Sequence, residues 1–219
     1  MTSTFLRPAL AAILAAASLA GCGGKATFDI NVSVFGLAYP GLILVEKKSG
    51  QTITITDITK TTFSFPNTIE YGTEYEVDIA PNGQPPHQTC SKSGGTSDSA
   101  GRTASINAQI NCVMNQKTVG GSVTLAPGTT GSYAGLKLIN GSNDLNPITF
   151  IDTSTAAYGY PGIIFNTPYG ITIFAQPTDQ TIKCKLVPKV AHMGATDDKV
   201  AGIMGDVNVV IDIVCAKTP

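Results

Sequence analysis

The stretch Tyr71-Gly72-Thr73-Glu74-Tyr75-Glu76-Val77-Asp78-Ile79 returns 94 residues later as Phe165-Asn166-Thr167-Pro168-Tyr169-Gly170-Ile171-Thr172-Ile173. Apolar and polar side chains alternate within it, which is the period of a strand with one buried face. Cys90 and Cys184 follow at the same offset. Working outward, Gly41-Leu42 with Leu44 recurs as Gly135-Leu136 with Leu138, and Phe63-Ser64-Phe65-Pro66 recurs as Tyr158-Gly159-Tyr160-Pro161. Each copy closes on an alternating run that ends in a cysteine, Cys112 or Cys215. Self-similarity on this scale means two homologous domains. They are placed at 27–113 and 119–219, joined by a short polar linker over 114–118.

The same period governs the flanking runs. Phe28, Ile30, Val32 and Val34 alternate with polar residues, as do Ile106, Ala108 and Ile110 leading to Cys112. Val207, Val209, Ile211 and Ile213 are in phase with Cys215. Turn signals separate the runs: Tyr39-Pro40-Gly41, Ser49-Gly50, Asn82-Gly83 and Asn140-Gly141. Short strands at this spacing, in units of about 90–100 residues, predict an all-β chain of two tandem antiparallel β-sandwiches. A unit of that size buries a modest core and gains from a covalent clip.

The repeated tyrosine segment resembles the strand E–F corner of fibronectin-III-like and other immunoglobulin-like domains. The resemblance implies that Tyr75 and Tyr169 are tyrosine-corner residues, with hydroxyls bonded to backbone upstream. It also implies that Val77, Ile79, Ile171 and Ile173 face the core. Each copy is similar to the tandem β-sandwich repeat of bacterial envelope lipoproteins of unknown role. Two features depart from that pattern: there is no tryptophan, and Asn166-Thr167-Pro168 stands where the first copy has Gly-Thr-Glu.

The N-terminus supplies an address. Arg7 precedes an apolar stretch from Pro8 to Ala17, shorter than the roughly 20 residues a membrane-spanning helix needs. It reads as a removable signal over 1–21. Leu19-Ala20-Gly21-Cys22 resembles the lipobox of bacterial lipoproteins. That resemblance implies cleavage before Cys22, attachment of lipid such as palmitate to its sulfur, and a tether over 22–26. The membrane is then a partner through the lipid. Gly23 is not the aspartate associated with inner-membrane retention, so the expected destination in a Gram-negative host is the outer membrane.

Cysteine arithmetic is consistent with this. Of five cysteines, lipidation of Cys22 uses one and leaves four for an oxidising compartment. Four allow three connectivities, and one pair per unit is the arrangement in which each domain could have existed alone: Cys90 with Cys112, Cys184 with Cys215. No Cys-x-x-Cys occurs to favour a metal site instead.

Only 13% of residues are charged and the net charge is −1, so no basic patch exists for nucleic acid. The two histidines, His87 and His192, have no second ligand at metal spacing and read as solvated loop residues. Gly95 to Gly101 reads as a flexible hairpin tip, and Gly120-Gly121 lacks the Lys-Ser/Thr of a phosphate loop. Asp197-Asp198 is read as a hydrated pair rather than a calcium site. The aromatics Tyr158, Tyr160, Phe165 and Tyr169 have counterparts in Phe63, Phe65, Tyr71 and Tyr75, which points to core packing rather than a sugar platform. No cofactor, metal centre or catalytic residue is expected. The expected function is a lipid-anchored envelope protein with a non-catalytic binding, adhesion or structural role, its ligand a protein or glycan. The alternative is a periplasmic inhibitor or ligand-capture protein using loops at the sandwich ends.

Overall fold

The computed structural model describes residues 25–141, 146–153 and 156–218. The leader over 1–21 and Cys22 lie outside the described residues. Among those residues every helix or strand element is a strand. The first repeat forms β1 (Thr27–Phe28), β2 (Ile30–Phe35), β3 (Leu42–Glu46), β4 (Gln51–Ile55), β5 (Thr62–Ser64), β6 (Ile69–Glu70), β7 (Glu74–Ile79), β8 (Gln88–Gly94), β9 (Ser97–Ser99) and β10 (Ile106–Met114). The second forms β11 (Gln116–Leu125), β12 (Lys137–Asn140), β13 (Ile148–Thr149), β14 (Ala157–Ile164), β15 (Pro168–Ala175), β16 (Ile182–Pro188), β17 (Lys199–Ile203) and β18 (Val209–Lys217).

Contacts divide the chain into two compact units. Of the described residues, one unit holds 25–86 together with Cys90–Cys112, and the other holds His87–Thr89 and those from Val113 onward. The segment 114–118 is almost wholly strand: β10 ends at Met114 and β11 begins at Gln116.

Each unit is built on two four-stranded sheets, and the first adds a two-stranded antiparallel pair, β1-β6. In the first the four-stranded sheets run β5-β2-β10-β8 and β4-β3-β7-β9; in the second, β14-β11-β18-β16 and β13-β12-β15-β17. The alternating runs explain the layering, because every second side chain meets the facing sheet. Ile30, Val32 and Val34 of β2 are buried against Leu42 and Leu44 of β3 and Val77 of β7 within one core. Val119 of β11, Leu138 of β12, Ile171 of β15 and Ile211 of β18 do the same in the other.

One departure from purely antiparallel sandwiches recurs in both units. β2 pairs with β10 in parallel, Ile30 opposite Ile106, and β11 pairs with β18 in parallel, Val119 opposite Val209. Parallel neighbours need a long crossover. Here the rest of the unit is that crossover, so the first and last long strands close it side by side. Gly120 and Gly121 serve this packing. A Cβ at either would be driven into a backbone carbonyl, of Tyr158 on one side and Ile211 on the other.

Two local expectations need correction. Val207 is not part of the inward set; it is 72% exposed and precedes β18. The segment from Gly95 to Gly101 is not a loose tip, since Ser97–Ser99 form β9 against β7. The odd triplet Asn166-Thr167-Pro168 also finds its reason. Gly72 and Asn166 both adopt left-handed φ, 80° and 62°, and asparagine is among the few residues that tolerate that region.

Candidate functional site

The tyrosine strands are the natural place to look, because the repeat is most regular there. Tyr75 on β7 and Tyr169 on β15 are each 6% exposed. Neither hydroxyl reaches upstream backbone as the corner resemblance implied. Tyr75 donates to the carbonyl of Gly95, 20 residues downstream, at 3.3 Å. Tyr169 lies 2.7 Å from His192 Nε2. His192 Nδ1 lies 2.7 Å from the carbonyl of Val190, so that nitrogen carries the proton and Nε2 accepts from the tyrosine. Burial holds both phenols above their ordinary pKa. His192 is therefore a packing partner, not a solvated residue. His87, which falls in the second compact unit, is also engaged: Nδ1 sits 2.6 Å from Asp206 Oδ2 and its ring stacks on Phe165 at 3.9 Å.

The cysteines pair as Cys90–Cys112 and Cys184–Cys215. All four are buried. Cys184 faces Cys215 directly across β16 and β18. Sequence reading missed what guards these bridges. The Gln84 amide receives the N–H of Cys90 at 2.7 Å and donates to its carbonyl at 3.0 Å. Gln176 does the same for Cys184, at 2.9 and 3.0 Å. Each glutamine thus replaces a neighbouring strand at the sheet edge. The shared signal is Gln-Pro, at 84–85 and 176–177; it escapes a constant offset because the loops around it differ in length.

The outer faces of the tyrosine strands form a cleft in each unit. In the first, about 330 Å³ is lined by Lys48, Glu74, Glu76, Ser97, Asp98 and Arg102, among others. In the second, about 570 Å³ is lined by Ile139, Pro168, Gly170, Thr172, Lys199 and Ala201, among others. The clefts occupy equivalent places but differ in chemistry. Glu74, Glu76 and Asp78 of β7 correspond to Pro168, Gly170 and Thr172 of β15.

The first face is a lattice of ion pairs. Lys47 Nζ contacts Glu76 at 2.8 Å and also Asp78, and Lys92 reaches Asp78 at 3.2 Å. The Lys47 hydrogen bond, with the Ile79 amide and Lys92, pulls Asp78 down to about 2 against the opposing effect of burial. Glu46 differs in being 1% exposed. Burial pushes its carboxyl up, but the amides of Glu76, Lys48 and Ser49 more than offset this and hold it below its ordinary value.

The remaining candidates are structural. Phe65 is buried, Tyr158 and Tyr160 pack against the second core, and Tyr158 donates to the Ile211 carbonyl at 2.7 Å. Tyr71 departs from this pattern: it is 63% exposed and packs against Gly101 and Phe28. Asp197 and Asp198 turn their carbonyls to the amides of Leu186 and Ile173.

No protein-family model matches this chain, and no curated protein matches it. Solved structures do show likeness. The Bacillus anthracis TIE protein is 11% identical with a TM-score of 0.48, covering 88% of this chain and 34% of that one. The chain therefore spans about a third of that protein's length. The major pilin T-13 of Streptococcus pyogenes is 8% identical with a TM-score of 0.32, covering 89% of this chain and 98% of the pilin. A minor pilin of Streptococcus agalactiae is 11% identical with a TM-score of 0.31, over 88% and 97%.

Proposed function

We propose that the protein is a lipid-anchored envelope component whose sandwiches present non-catalytic binding surfaces. The observation that carries this is the pair of equivalent clefts on the outer faces of β7–β9 and β15–β17. The buried faces of the two units match, as a shared fold demands. Their outer faces diverge from charged to largely apolar, which the fold does not demand and two different contacts would. The polar groups that draw attention as candidates are taken up in holding the fold: buried Glu46 caps a turn, buried Tyr169 holds a loop, and the more exposed Gln84 and Gln176 guard edges.

The lipobox at Leu19–Cys22 supports anchoring, and multiple acyl chains hold a protein at a membrane where one does not. Cys22→Ser should give an unprocessed chain that takes up no radioactive palmitate; a labelled variant overturns the anchor. For the surfaces, envelope extract is passed over the immobilised parent chain, a Glu74→Ala/Arg102→Ala variant and a Thr172→Lys variant. Ligands kept by the parent and lost by one variant place the contact. Equal retention by all three overturns the cleft reading.

A second reading, capture by sandwich-end loops, is favoured by the segment 189–198. It is fastened by His192 and by the Asp197 and Asp198 carbonyls, yet leaves Val190 63% and Met193 100% exposed. Loss of retention in Val190→Ser/Met193→Ser alone would select this loop over the clefts.

A further inference from the structure

A strand at a sheet edge exposes backbone donors and acceptors, and folded proteins ordinarily blunt it. The edges of both units follow that practice. β8 and β16 are closed at their cysteines by the Gln84 and Gln176 amides. β5, β9 and β13 are three residues or shorter. β14 carries Pro161 and Gly162, and β4 turns Thr52 and Thr54 outward. β17, Lys199-Val200-Ala201-Gly202-Ile203, has no such device beyond its first residue.

Register tells which way its backbone points. Ile173 donates to the Asp198 carbonyl at 2.9 Å, and Ile171 and Tyr169 stand opposite Val200 and Gly202. In an antiparallel ladder such bonded pairs alternate with residues whose N–H and C=O face the other side. Lys199, Ala201 and Ile203 therefore turn theirs to the free edge. Thr196 occupies those of Lys199: its N–H donates to the Lys199 carbonyl at 2.8 Å, and its hydroxyl accepts from the Lys199 N–H at 3.1 Å. Ala201 and Ile203 are left with two donors and two acceptors aimed outward.

The side chains above this edge are apolar beyond its first pair, Lys199 with Thr172. Ile203 is 60% and Phe174 65% exposed, and Pro168, Gly170 and Ala201 lie on the same face. The fold does not require this. At the equivalent places the first unit has Glu74 and Glu76, with β9 as Ser97-Asp98-Ser99.

We infer that β17 is a self-association edge, pairing antiparallel with β17 of a second copy about a two-fold axis at Gly202. In that register Ala201 of each copy exchanges both backbone bonds with Ile203 of the other, four bonds in all. The axis falls between the two Gly202 residues, a non-bonded pair where antiparallel strands come closest, about 4.5 Å between Cα atoms. A second copy suits this edge because the open window is short and complements itself. The large Ile203 lies beside the small Ala201, the two apolar outer faces become continuous, and the contact is isologous. Lys199, the only charge on the strand, meets no like charge across the axis. The inference deepens the binding reading for the second unit and rests on it. The anchor and the first-unit cleft are tested separately, by palmitate label and by retention.

The test is sedimentation of the processed full chain in density-matched detergent, over a concentration series. The parent should move from monomer to dimer. Ala201→Pro removes only an outward N–H, which an edge strand tolerates, and Ile203→Lys places a charge at the contact. Ala201→Pro should weaken dimerisation by about ten-fold or more, the scale of two lost backbone bonds. Ile203→Lys should weaken it by charge repulsion, both with an unchanged melting temperature at concentrations where the parent is monomeric. Phe35→Lys, an exposed apolar position of the first unit, should leave the dimer intact. If Ala201→Pro fails to fold, Ile203→Lys still decides. A parent that stays monomeric overturns the inference, as does a dimer that survives both β17 substitutions or is lost in Phe35→Lys. So does protection of the Ala201 and Ile203 amides from hydrogen exchange only when envelope extract is added, which would put a foreign strand there.

Discussion

Tyr75 and Tyr169 occupy equivalent points of the repeat, yet their hydroxyls are held differently. Tyr169 meets His192 at 2.7 Å, whereas the Tyr75 bond to Gly95 is stretched to 3.3 Å. Tyr169→Phe should therefore cost on the order of 1 kcal/mol and Tyr75→Phe less, while alanine at either place should cost roughly 3–5 kcal/mol. Urea melts of the four variants check the order. The reverse ranking of the two phenylalanine variants would show that the His192 contact contributes nothing. Asp78 makes a pH prediction. Its folded pKa is depressed to about 2, so its contribution is present above the unfolded value of roughly 4 and fades as pH falls towards 2. Its side chain is 24% exposed, and solvent screening limits that contribution to on the order of 1 kcal/mol. Asp78→Asn should be less stable than the parent at neutral pH, with the gap closing in acid. A gap that widens in acid would contradict this.

Strands supply the next scale, and their edges matter most. Gln84 and Gln176 satisfy the N–H and C=O of Cys90 and Cys184 with one amide each. Gln176→Leu keeps much of the volume but leaves that edge to water. The expected loss is about 1 kcal/mol, with faster aggregation because an edge has been opened. Turbidity on heating and a chemical melt report the two effects separately. Gln176→Glu is the sharper probe: it keeps the acceptor but turns a carboxylate oxygen towards the Cys184 carbonyl and the Asp198 carboxylate, so at neutral pH it should be less stable than leucine. If leucine and parent aggregate alike, the amide is not guarding the edge.

Across the whole molecule each unit has its own core and its own disulfide. The bridges close loops with separations of 22 and 31 residues. On the chain-entropy estimate each contributes roughly 3–4 kcal/mol, a large share of a small domain's net stability. Replacing Cys184 and Cys215 by alanine should lower the melting of the second unit and leave that of the first where it was. Calorimetry, with proteolysis to assign the transitions, distinguishes this from a single cooperative unit, in which both would fall together.

The strands, the duplication and the cysteine partners were legible in the sequence because they follow from local rules. A period of two reports one buried face, and a repeat with a cysteine closing each copy gives each unit its own pair. The left-handed position shared by Gly72 and Asn166 was visible as a departure, and its reason is equally local. What the sequence concealed depends on residues far apart in the chain. Tyr169 finds His192, Gln176 finds Cys184, and Gly120-Gly121 admits two neighbouring backbones at once. Periodicity says that β2 and β10 are strands, but only packing decides that they run parallel. The outer faces are decided the same way. Alternation marks a side chain as outward, whereas the fold alone determines that Glu74 and Glu76 gather into a charged cleft and that Ala201 and Ile203 stand on an open edge. Burial is a property of each strand's own pattern, while a surface is assembled from strands that only the tertiary structure brings together.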